Sequence, residues 1–311
     1  MRVLVSVLHK YPASVGGPGG GRIFDFVVKG LAELGHEVFY HLREGASGPP
    51  PEGVALVGHD FAGADIVHCR RGTEPANGGP WVLTCHTDIS IWGMSRGEAT
   101  SNWIYISRTL AETYGSERYV IAGIDPSELV YSETKGDYFL FVAAARMMMD
   151  KGLDIAASLS RRMGFRLVVA GADANAAAVE RVASFCKENG AEYVGEVYGA
   201  RKAELFAGAK ALLFPTKLNE AFGLVMAEAL MSGTPVICSS NGACPELISP
   251  DIGFVCASEA DYEHAIENVE RISPQRCRDK AMSDYHYLRM AKEYVSEYEK
   301  ELSRRQNGSA A

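Results

Sequence analysis

The segment FPTKLNEAFGLVMAEALMSGTPV, residues 214–236, contains an apolar stretch that is predicted to be helical. One carboxylate, Glu220, precedes this stretch, and a second, Glu228, lies within it. Glu220 precedes a predicted helix, whose first N–H groups, from Phe222–Leu224, suit an anion or sugar oxygens. Glu228 lies within the run VMAEALM, and a buried carboxylate is costly unless something hydrogen-bonds to it. The vicinal hydroxyls of a ribose would supply those bonds, and a neighbouring lysine is the alternative partner.

A pair of cations follows the predicted strand Tyr138–Ala143 in the stretch FVAAARMMMDKG. Arg146 follows this strand, and Lys151 lies five positions later, at the start of a predicted helix. Two cations so placed suit a diphosphate, because they neutralise the charge that builds on it as a leaving group. The alternative is a solvated charge pair, in which Lys151 pairs with Asp150 or Asp154.

The first half of the chain carries a glycine-rich loop and a histidine that each follow a predicted strand. The loop VGGPGGGR, Val15–Arg22, lets a backbone approach a ligand closely, or is a flexible loop without one. The dinucleotide fingerprint G-x-G-x-x-G fails, because from Gly17 its sixth position is Arg22. His86 follows the predicted strand Trp81–Thr84 and could serve as an acid, a base or a hydrogen-bond donor, with a structural role as the alternative.

Composition narrows the classes of partner. The 311 residues carry a net charge of −8, and a nucleic-acid partner would call for a basic surface. Seven scattered cysteines without a C-x-x-C pair argue against disulfides and zinc and favour the cytoplasm. No apolar run approaches the ~20 residues of a membrane span, and residues 1–125 carry a net charge of −3, so membrane docking is not indicated.

The elements that must position these residues alternate between short apolar strands and helices. That order predicts an α/β protein with doubly wound parallel sheets, whose ligands bind beyond the carboxyl ends of the strands. The polar stretch Ile124–Asp137 reads as a linker between domains. We therefore expect domains at 1–126 and 127–283, a helix over 284–302 that packs back on the first domain, and a disordered tail at 306–311.

The segment N-E-A-F-G-L-V-x-x-E-A-x-x-x-G-T-P-V-I resembles the E-x7-E signature of the retaining GT-B glycosyltransferases of the GT4 type, or glycosyltransferase group 1. Further motifs follow in that family's order. They are G-G at Gly19-Gly20, G-H-E-V at Gly35–Val38, A-R-x-x-x-x-K-G at Ala145–Gly152, V-V-A-G at Val168–Gly171, G-E-V at Gly195–Val197, A-L-L-F-P-T at Ala211–Thr216 and G-x-x-P-E-L-I at Gly242–Ile248.

The resemblance implies a GT-B fold, with two Rossmann-like domains that face a cleft. It implies a retaining enzyme that moves a sugar from a nucleotide-diphosphate sugar, with UDP favoured, to an acceptor hydroxyl on an unidentified small molecule or glycan. No cofactor is implied, and because the chain has no D-x-D, no metal is expected. An epimerase, a phosphorylase and a nucleotide-sugar-binding protein without transfer remain alternatives.

The resemblance also implies residue roles. Glu228 would bind the donor ribose, and Arg146 and Lys151 the diphosphate. Glu220 and the backbone of Phe222, Gly223 and Leu224 would hold the transferred sugar. The backbone of Gly195–Val197 would contact the base. In the first domain, His86 would reach the donor sugar, and Gly19 and Gly20 would approach the diphosphate. Ala145 stands where the family has a glycine before the arginine. The first domain, which normally holds the acceptor, is shorter than the family usually has, so the acceptor is the least defined part.

Overall fold

The structure, a computed structural model, describes residues 1–13, 19–58, 61–75, 79–95 and 98–308. The chain divides into two compact units. Unit 1 comprises Met1–Ile124 and Tyr285–Ala311, and unit 2 comprises Asp125–Asp284. In the part of the chain that the structure describes, no helix is both long and apolar enough to cross a membrane.

Unit 1 contains a six-stranded parallel sheet in the order β3-β2-β1-β4-β5-β6. Its strands are β1 Arg2–Val7, β2 Glu37–Leu42, β3 Val54–Leu56, β4 Ile66–Cys69, β5 Trp81–Cys85 and β6 Trp103–Tyr105, and its helices are α1 Gly19–Glu33, α2 Arg108–Thr113 and α10 Tyr287–Gly308. Successive strands are added on one side of β1 up to β3 and on the other side from β4. The β1/β4 junction is therefore the topological switch point, where open α/β sheets bind ligands.

Unit 2 repeats this architecture with the order β12-β11-β10-β7-β8-β9. The strands are β7 Tyr138–Val142, β8 Arg166–Ala170, β9 Glu192–Gly195, β10 Ala211–Phe214, β11 Val236–Ser239 and β12 Gly253–Cys256. The helices are α3 Leu153–Met163, α4 Ala176–Glu188, α5 Gly199–Gly208, α6 Leu224–Met231, α7 Cys244–Leu247, α8 Glu259–Asn268 and α9 Pro274–Asp284. Its switch point lies between β7 and β10.

The central strands are buried, as expected where helices cover both faces of a parallel sheet. All four side chains of β10 and all four of β11 are buried, which explains why these strands read as continuous apolar runs. In unit 1, α10 packs on α1 at Gly30, where an added Cβ would lie 2.6 Å from the Ala291 Cβ. All seven cysteine thiols are free and buried.

The predicted α/β class with two doubly wound parallel sheets is confirmed. The stretch Tyr119–Ile121 reads as a short strand in the sequence, but in the structure it contributes an isolated bridge between Tyr119 and Tyr105. The sequence reading missed β3, α2, α7 and α9. Helix α9 is polar and buries only Cys277 and Ala281. It therefore lacks the periodic apolar pattern from which a helix is predicted in a sequence.

The C-terminal helix differs in extent from the one expected over 284–302. Helix α10 begins at Tyr287 and continues to Gly308, so it overlaps the tail predicted to be disordered at 306–311. Residues 309–311 lie outside the described residues, as do residues 15–18 of the glycine-rich loop.

Candidate functional site

An ion pair joins the two strand ends at the switch point of unit 2. Lys151 lies in the connection from β7 to α3, and Glu220 lies in the connection from β10 to α6. The Lys151 Nζ contacts the Glu220 carboxylate directly and lies 5.4 Å from the centre of the Phe214 ring. The structure thus brings together two of the predicted site residues that are 69 positions apart. Lys151 does not take the predicted alternative of Asp154, which pairs instead with Lys217 at 2.7 Å.

The connection that follows β11 holds the backbone of Glu220 in place. Gly242 has a φ of +58°, and a Cβ there would lie 2.2 Å from the Glu220 nitrogen. The Ala243 N–H donates to the Glu220 carbonyl at 2.8 Å, and the Asn241 side-chain amide donates to the Thr216 carbonyl at 2.7 Å. Close packing and these two hydrogen bonds therefore position Glu220 against the end of the neighbouring strand.

Helix α6 begins beside this carboxylate. Gly223 adopts a φ of +83° at the N-cap, and a Cβ there would lie 3.4 Å from Glu220 Cγ. No side chain caps the helix, which begins at Leu224. The Phe222 side chain is buried. The N-terminus of a helix carries partial positive charge, so it and Lys151 together form an electropositive environment around Glu220.

Arg146 has a separate partner in unit 2. Its guanidinium Nη1 lies 2.5 Å from Asp173 Oδ2, and the arginine side chain is about half exposed. The Asn175 N–H and the Arg146 guanidinium hold the pKa of Asp173 below its usual value. Arg146 is therefore oriented by a carboxylate that follows β8, a partner that the sequence reading did not identify.

The predicted base-contacting turn, Gly195–Val197, is packed against the end of β8. The Gly171 N–H donates to the Gly195 carbonyl at 2.8 Å, and the Tyr193 hydroxyl donates to the Gly171 carbonyl at 2.6 Å. The Val197 side chain is buried. The Gly195 carbonyl therefore already accepts a hydrogen bond within unit 2.

Glu228 is buried in α6 and pairs with a lysine on α5. Its Oε1 lies 2.5 Å from the Lys202 Nζ, and both side chains are almost fully removed from solvent. The structure therefore contains the alternative that the sequence left open, a lysine partner. A ribose that reached Glu228 would share the carboxylate with this cation.

In unit 1, His86 follows β5 and lies against the first turn of α1. A Cβ on Gly20 would lie 2.1 Å from His86 Cδ2, so only glycine fits there. Burial lowers the pKa of His86 to about 4, with the Arg70 guanidinium and His9 adding to the shift and the Thr84 backbone opposing it. The imidazole is neutral at pH 7, and Gly19, the first residue of α1, adjoins Gly20 in sequence.

The sequence reading missed three residues that contact these clusters: Asp173, Lys202 and Asn241. Lys202 and Asp173 lie far in sequence from the charged groups that they neutralise. A single charged residue in a sequence is therefore interpreted as solvent-exposed, because its distant partner is not known. Within residues 1–13, 19–58, 61–75, 79–95 and 98–308, no three His, Cys, Asp or Glu side chains are grouped to hold a metal ion.

Solved structures of known proteins share the fold. A glycosyltransferase involved in avilamycin A biosynthesis, AviGT4, superposes with a TM-score of 0.78 and 24% identity over 97% of this chain and 98% of that one. Sucrose-phosphate synthase from Thermosynechococcus elongatus gives 0.77 and 16% identity over 100% and 99%. HepE from Anabaena, solved in complex with UDP, gives 0.73 and 14% identity over 96% and 100%. The two parallel-sheet units are those of the GT-B fold.

Sequence comparisons agree with the structural ones. An MMP α-(1→4)-mannosyltransferase of Mycolicibacterium hassiacum is 31% identical over 112 residues, which are 33% of this chain and 27% of that protein. The chain thus spans about a quarter of that relative's length. The profile of the family described as "Glycosyl transferases group 1" matches residues 130–289, a little over half of the chain. The chain therefore belongs to the glycosyl transferases group 1 family.

Proposed function

We propose that this protein transfers a sugar from a UDP-sugar to an acceptor hydroxyl, with retention at the anomeric carbon and without a metal ion. The observation that carries the proposal is the Lys151–Glu220 pair at the switch point of unit 2, beside the start of α6. A cation, a carboxylate and helix N–H groups at one point suit a sugar attached to a diphosphate. HepE, which shares the fold, binds UDP and UDP-glucose, and this supports the choice of base.

The cations of unit 2 act on the leaving group. Lys151 and Arg146 would bind the diphosphate oxygens, and the backbone at Phe222–Leu224 would hold the transferred sugar together with Glu220. As the bond between the anomeric carbon and the diphosphate oxygen breaks, negative charge grows on the diphosphate. Fixed cations that face this charge stabilise the transition state more than the bound substrate, which accelerates the reaction.

Bond formation completes the transfer. The acceptor oxygen attacks the anomeric carbon from the face that the diphosphate leaves, and its proton passes to the departing phosphate oxygen. The products are the glycosylated acceptor and UDP, so no carboxylate nucleophile is required and atoms and charges balance. Glu228, neutralised by Lys202, would accept hydrogen bonds from the ribose hydroxyls.

Neutral substitutions in the ion pair test the proposal. With UDP-glucose as donor, Lys151→Gln and Glu220→Gln should each lower donor turnover at least about 100-fold, because each removes a group that contacts the reacting part of the donor. Lys217→Gln is the matched control, since Lys217 lies nearby and is paired with Asp154 outside this cluster. Turnover that survives both site substitutions would exclude the assigned roles.

The donor base, the metal and the stereochemistry are tested separately. Thermal unfolding with UDP-, GDP- and ADP-glucose should show stabilisation by the UDP-sugar, since a ligand bound to the folded state raises its stability by mass action. Complete loss of turnover in excess EDTA would contradict the metal-free proposal. NMR of the product should show the anomeric configuration of the donor, and an inverted product would refute retention.

A further inference from the structure

Unit 2 has a surface cavity of about 470 Å³ at the edge of its sheet. The cavity lies where β12 begins, between the end of α8 and the first turn of α9. Asp251 precedes β12, and Phe254 is its second residue. Lys151 and Glu220 follow the carboxyl ends of β7 and β10, whereas this cavity lies at the amino end of a parallel strand of the same sheet. A molecule bound here would therefore be remote from the Lys151–Glu220 pair.

Two arginines line this cavity, and neither guanidinium is paired. Within the described ranges, the Arg271 and Arg276 guanidiniums form no ion pair and no hydrogen bond. Glu270, the residue before Arg271, pairs instead with Lys210 at 2.5 Å. Each guanidinium has five N–H donors and a permanent positive charge, so both are available to an anion that enters the cavity.

One carboxylate, Asp251, also lines the cavity. Its Oδ1 accepts a hydrogen bond from the Ser249 hydroxyl at 2.5 Å. This hydrogen bond lowers the pKa of Asp251, and the positive charges of Arg276 and Lys280 lower it further against a smaller effect of burial. Asp251 is therefore ionised at pH 7, and the two guanidiniums of the lining outnumber it.

The cavity also offers a hydrogen-bond acceptor and apolar surface. The Asn268 Nδ2 donates to the His264 carbonyl at 2.8 Å and lies 3.3 Å from the His264 Nδ1. The amide NH2 group therefore faces His264, and the Asn268 Oδ1 accepts no hydrogen bond from the part of the chain that the structure describes. Half-buried Phe254 and Ile272 supply the apolar surface. Small-molecule sites combine such surface with a few polar groups, in volumes of about 300–1,000 Å³.

We propose that this cavity binds a phosphorylated sugar, with the phosphate on Arg271 and Arg276. A phosphate monoester carries a charge of about −1.5 to −2 at pH 7, and a guanidinium binds its oxygens through parallel N–H donors. The sugar hydroxyls donate to the Asn268 Oδ1 and to the Asp251 carboxylate, and the C–H face of the sugar ring packs on Phe254. None of these residues is assigned to the donor, so the site is independent of the proposed function.

Isothermal titration calorimetry of the full chain tests the site, with D-glucose 6-phosphate, D-glucose and inorganic phosphate as probes. We expect glucose 6-phosphate to bind saturably at one site with a submillimolar Kd. Inorganic phosphate and glucose should each bind at least about tenfold more weakly, because each makes only part of the contacts.

Substitutions locate the bound molecule. Arg271→Gln and Arg276→Gln should each weaken glucose 6-phosphate binding at least about tenfold, because each removes a charged donor to the phosphate. Asn268→Ala should weaken glucose 6-phosphate and leave the binding of inorganic phosphate unchanged. Arg181→Gln is the matched control, since Arg181 is an exposed arginine of α4 that lies outside the cavity and has no ion pair among the described residues. Its affinity for glucose 6-phosphate should equal that of the wild type.

A second control separates this cavity from the proposed donor site. Lys151→Gln should bind glucose 6-phosphate as the wild type does. Loss of binding in Lys151→Gln, with binding retained in both cavity variants, would place the sugar phosphate at the donor site and overturn the proposal.

Other results would also overturn it. One is the absence of saturable binding of glucose 6-phosphate at millimolar concentrations. Another is an equal loss in Arg181→Gln and in the two cavity variants, which would mean that the probe follows positive charge in general. Inorganic phosphate that binds as tightly as glucose 6-phosphate would exclude a sugar as part of the ligand.

Discussion

At the scale of single residues, burying a charged side chain costs free energy unless it is paired. This cost explains why Lys151, Glu228 and their partners form ion pairs. Glu228 is almost fully buried, and such a carboxylate persists because Lys202 pairs with it. The same logic applies to histidine, since burial favours the neutral imidazole and lowers the pKa. Glu228 and His86 therefore affect stability and are also proposed ligand contacts, so experiments on them must separate the two effects.

Removing one partner of the Lys202–Glu228 pair should destabilise the fold. Glu228→Ala leaves a buried lysine unpaired, which we expect to cost about 3–5 kcal/mol in urea unfolding. The double variant Lys202→Met/Glu228→Leu should recover most of this loss, because apolar residues of similar size replace both charges. If the double variant is as stable as the wild type and binds UDP equally well, Glu228 does not bind the ribose.

The buried histidines should make unit 1 sensitive to acid. Burial lowers the pKa of His68 to about 3 and that of His86 to about 4, from an ordinary value of 6.5. Their folded-state pKa values lie below the unfolded value, so their contribution to stability is complete above pH 6.5 and is lost as pH falls toward 4. Each should lower the free energy of unfolding by about 1.4 kcal/mol for each pH unit in that window.

Urea unfolding from pH 7 to pH 4 measures this slope. His68→Gln removes one titrating group, so its slope should be shallower than that of the wild type by about 1.4 kcal/mol for each pH unit. Titrations elsewhere in the chain are common to both proteins and cancel in the difference. Parallel slopes would show that His68 is not buried in its neutral form.

At the scale of elements, α10 is held on unit 1 by a polar network as well as by apolar packing. His68 bonds the Tyr298 hydroxyl and the Thr84 hydroxyl, each at 2.6 Å, and Thr84 bonds the Tyr294 hydroxyl at 2.7 Å. Buried networks of this kind specify one docking geometry, because a shifted helix would leave several polar groups unpaired.

The contact between α1 and α10 should depend on glycine at one position. Gly30→Ala should destabilise unit 1 by about 1–3 kcal/mol, because its Cβ would lie 2.6 Å from the Ala291 Cβ. The compensating change Ala291→Gly should destabilise the wild type by about 1 kcal/mol and stabilise the Gly30→Ala chain. A double-mutant cycle measures the coupling, and strictly additive effects would mean that the two helices do not meet there.

At the scale of the whole molecule, the two units differ in how the chain builds them. Unit 2 is one continuous segment, whereas unit 1 takes its last helix from beyond unit 2. Met290, Ala291, Tyr294 and Tyr298 of α10 are completely buried. Helix α10 is therefore part of the core of unit 1, whereas unit 2 takes no element from beyond Asp284.

A chain that ends at Asp284 should keep unit 2 and lose unit 1. Without α10, the sheet of unit 1 would expose apolar surface and leave His68 without Tyr298, each of which costs several kcal/mol. Limited proteolysis should cut residues 1–124 rapidly and spare 125–284. A chain that ends at Arg305 is the control, and protection of residues 1–124 in the shorter chain would refute the dependence.

The amino-acid sequence determined the class of fold and singled out the candidate site residues. Parallel strands that are covered on both faces must be apolar throughout. Runs such as ALLF in β10 can therefore be recognised as buried strands from the sequence alone. Arg146, Lys151, Glu220 and Glu228 were identified because each is a charge at a strand end or in an apolar helix. Short elements such as β3 and polar ones such as α9 were missed, since they carry little periodic signal.

Only the tertiary structure decided which charges are partners. Lys151 meets Glu220, Lys202 meets Glu228, and Arg146 meets Asp173 because the order of strands places distant connections side by side. His9, Asp25 and Tyr40 carry no motif, and they converge because α1 lies across β1 and β2. Pairings of this kind depend on contacts between residues far apart in the chain, and local sequence patterns do not encode them.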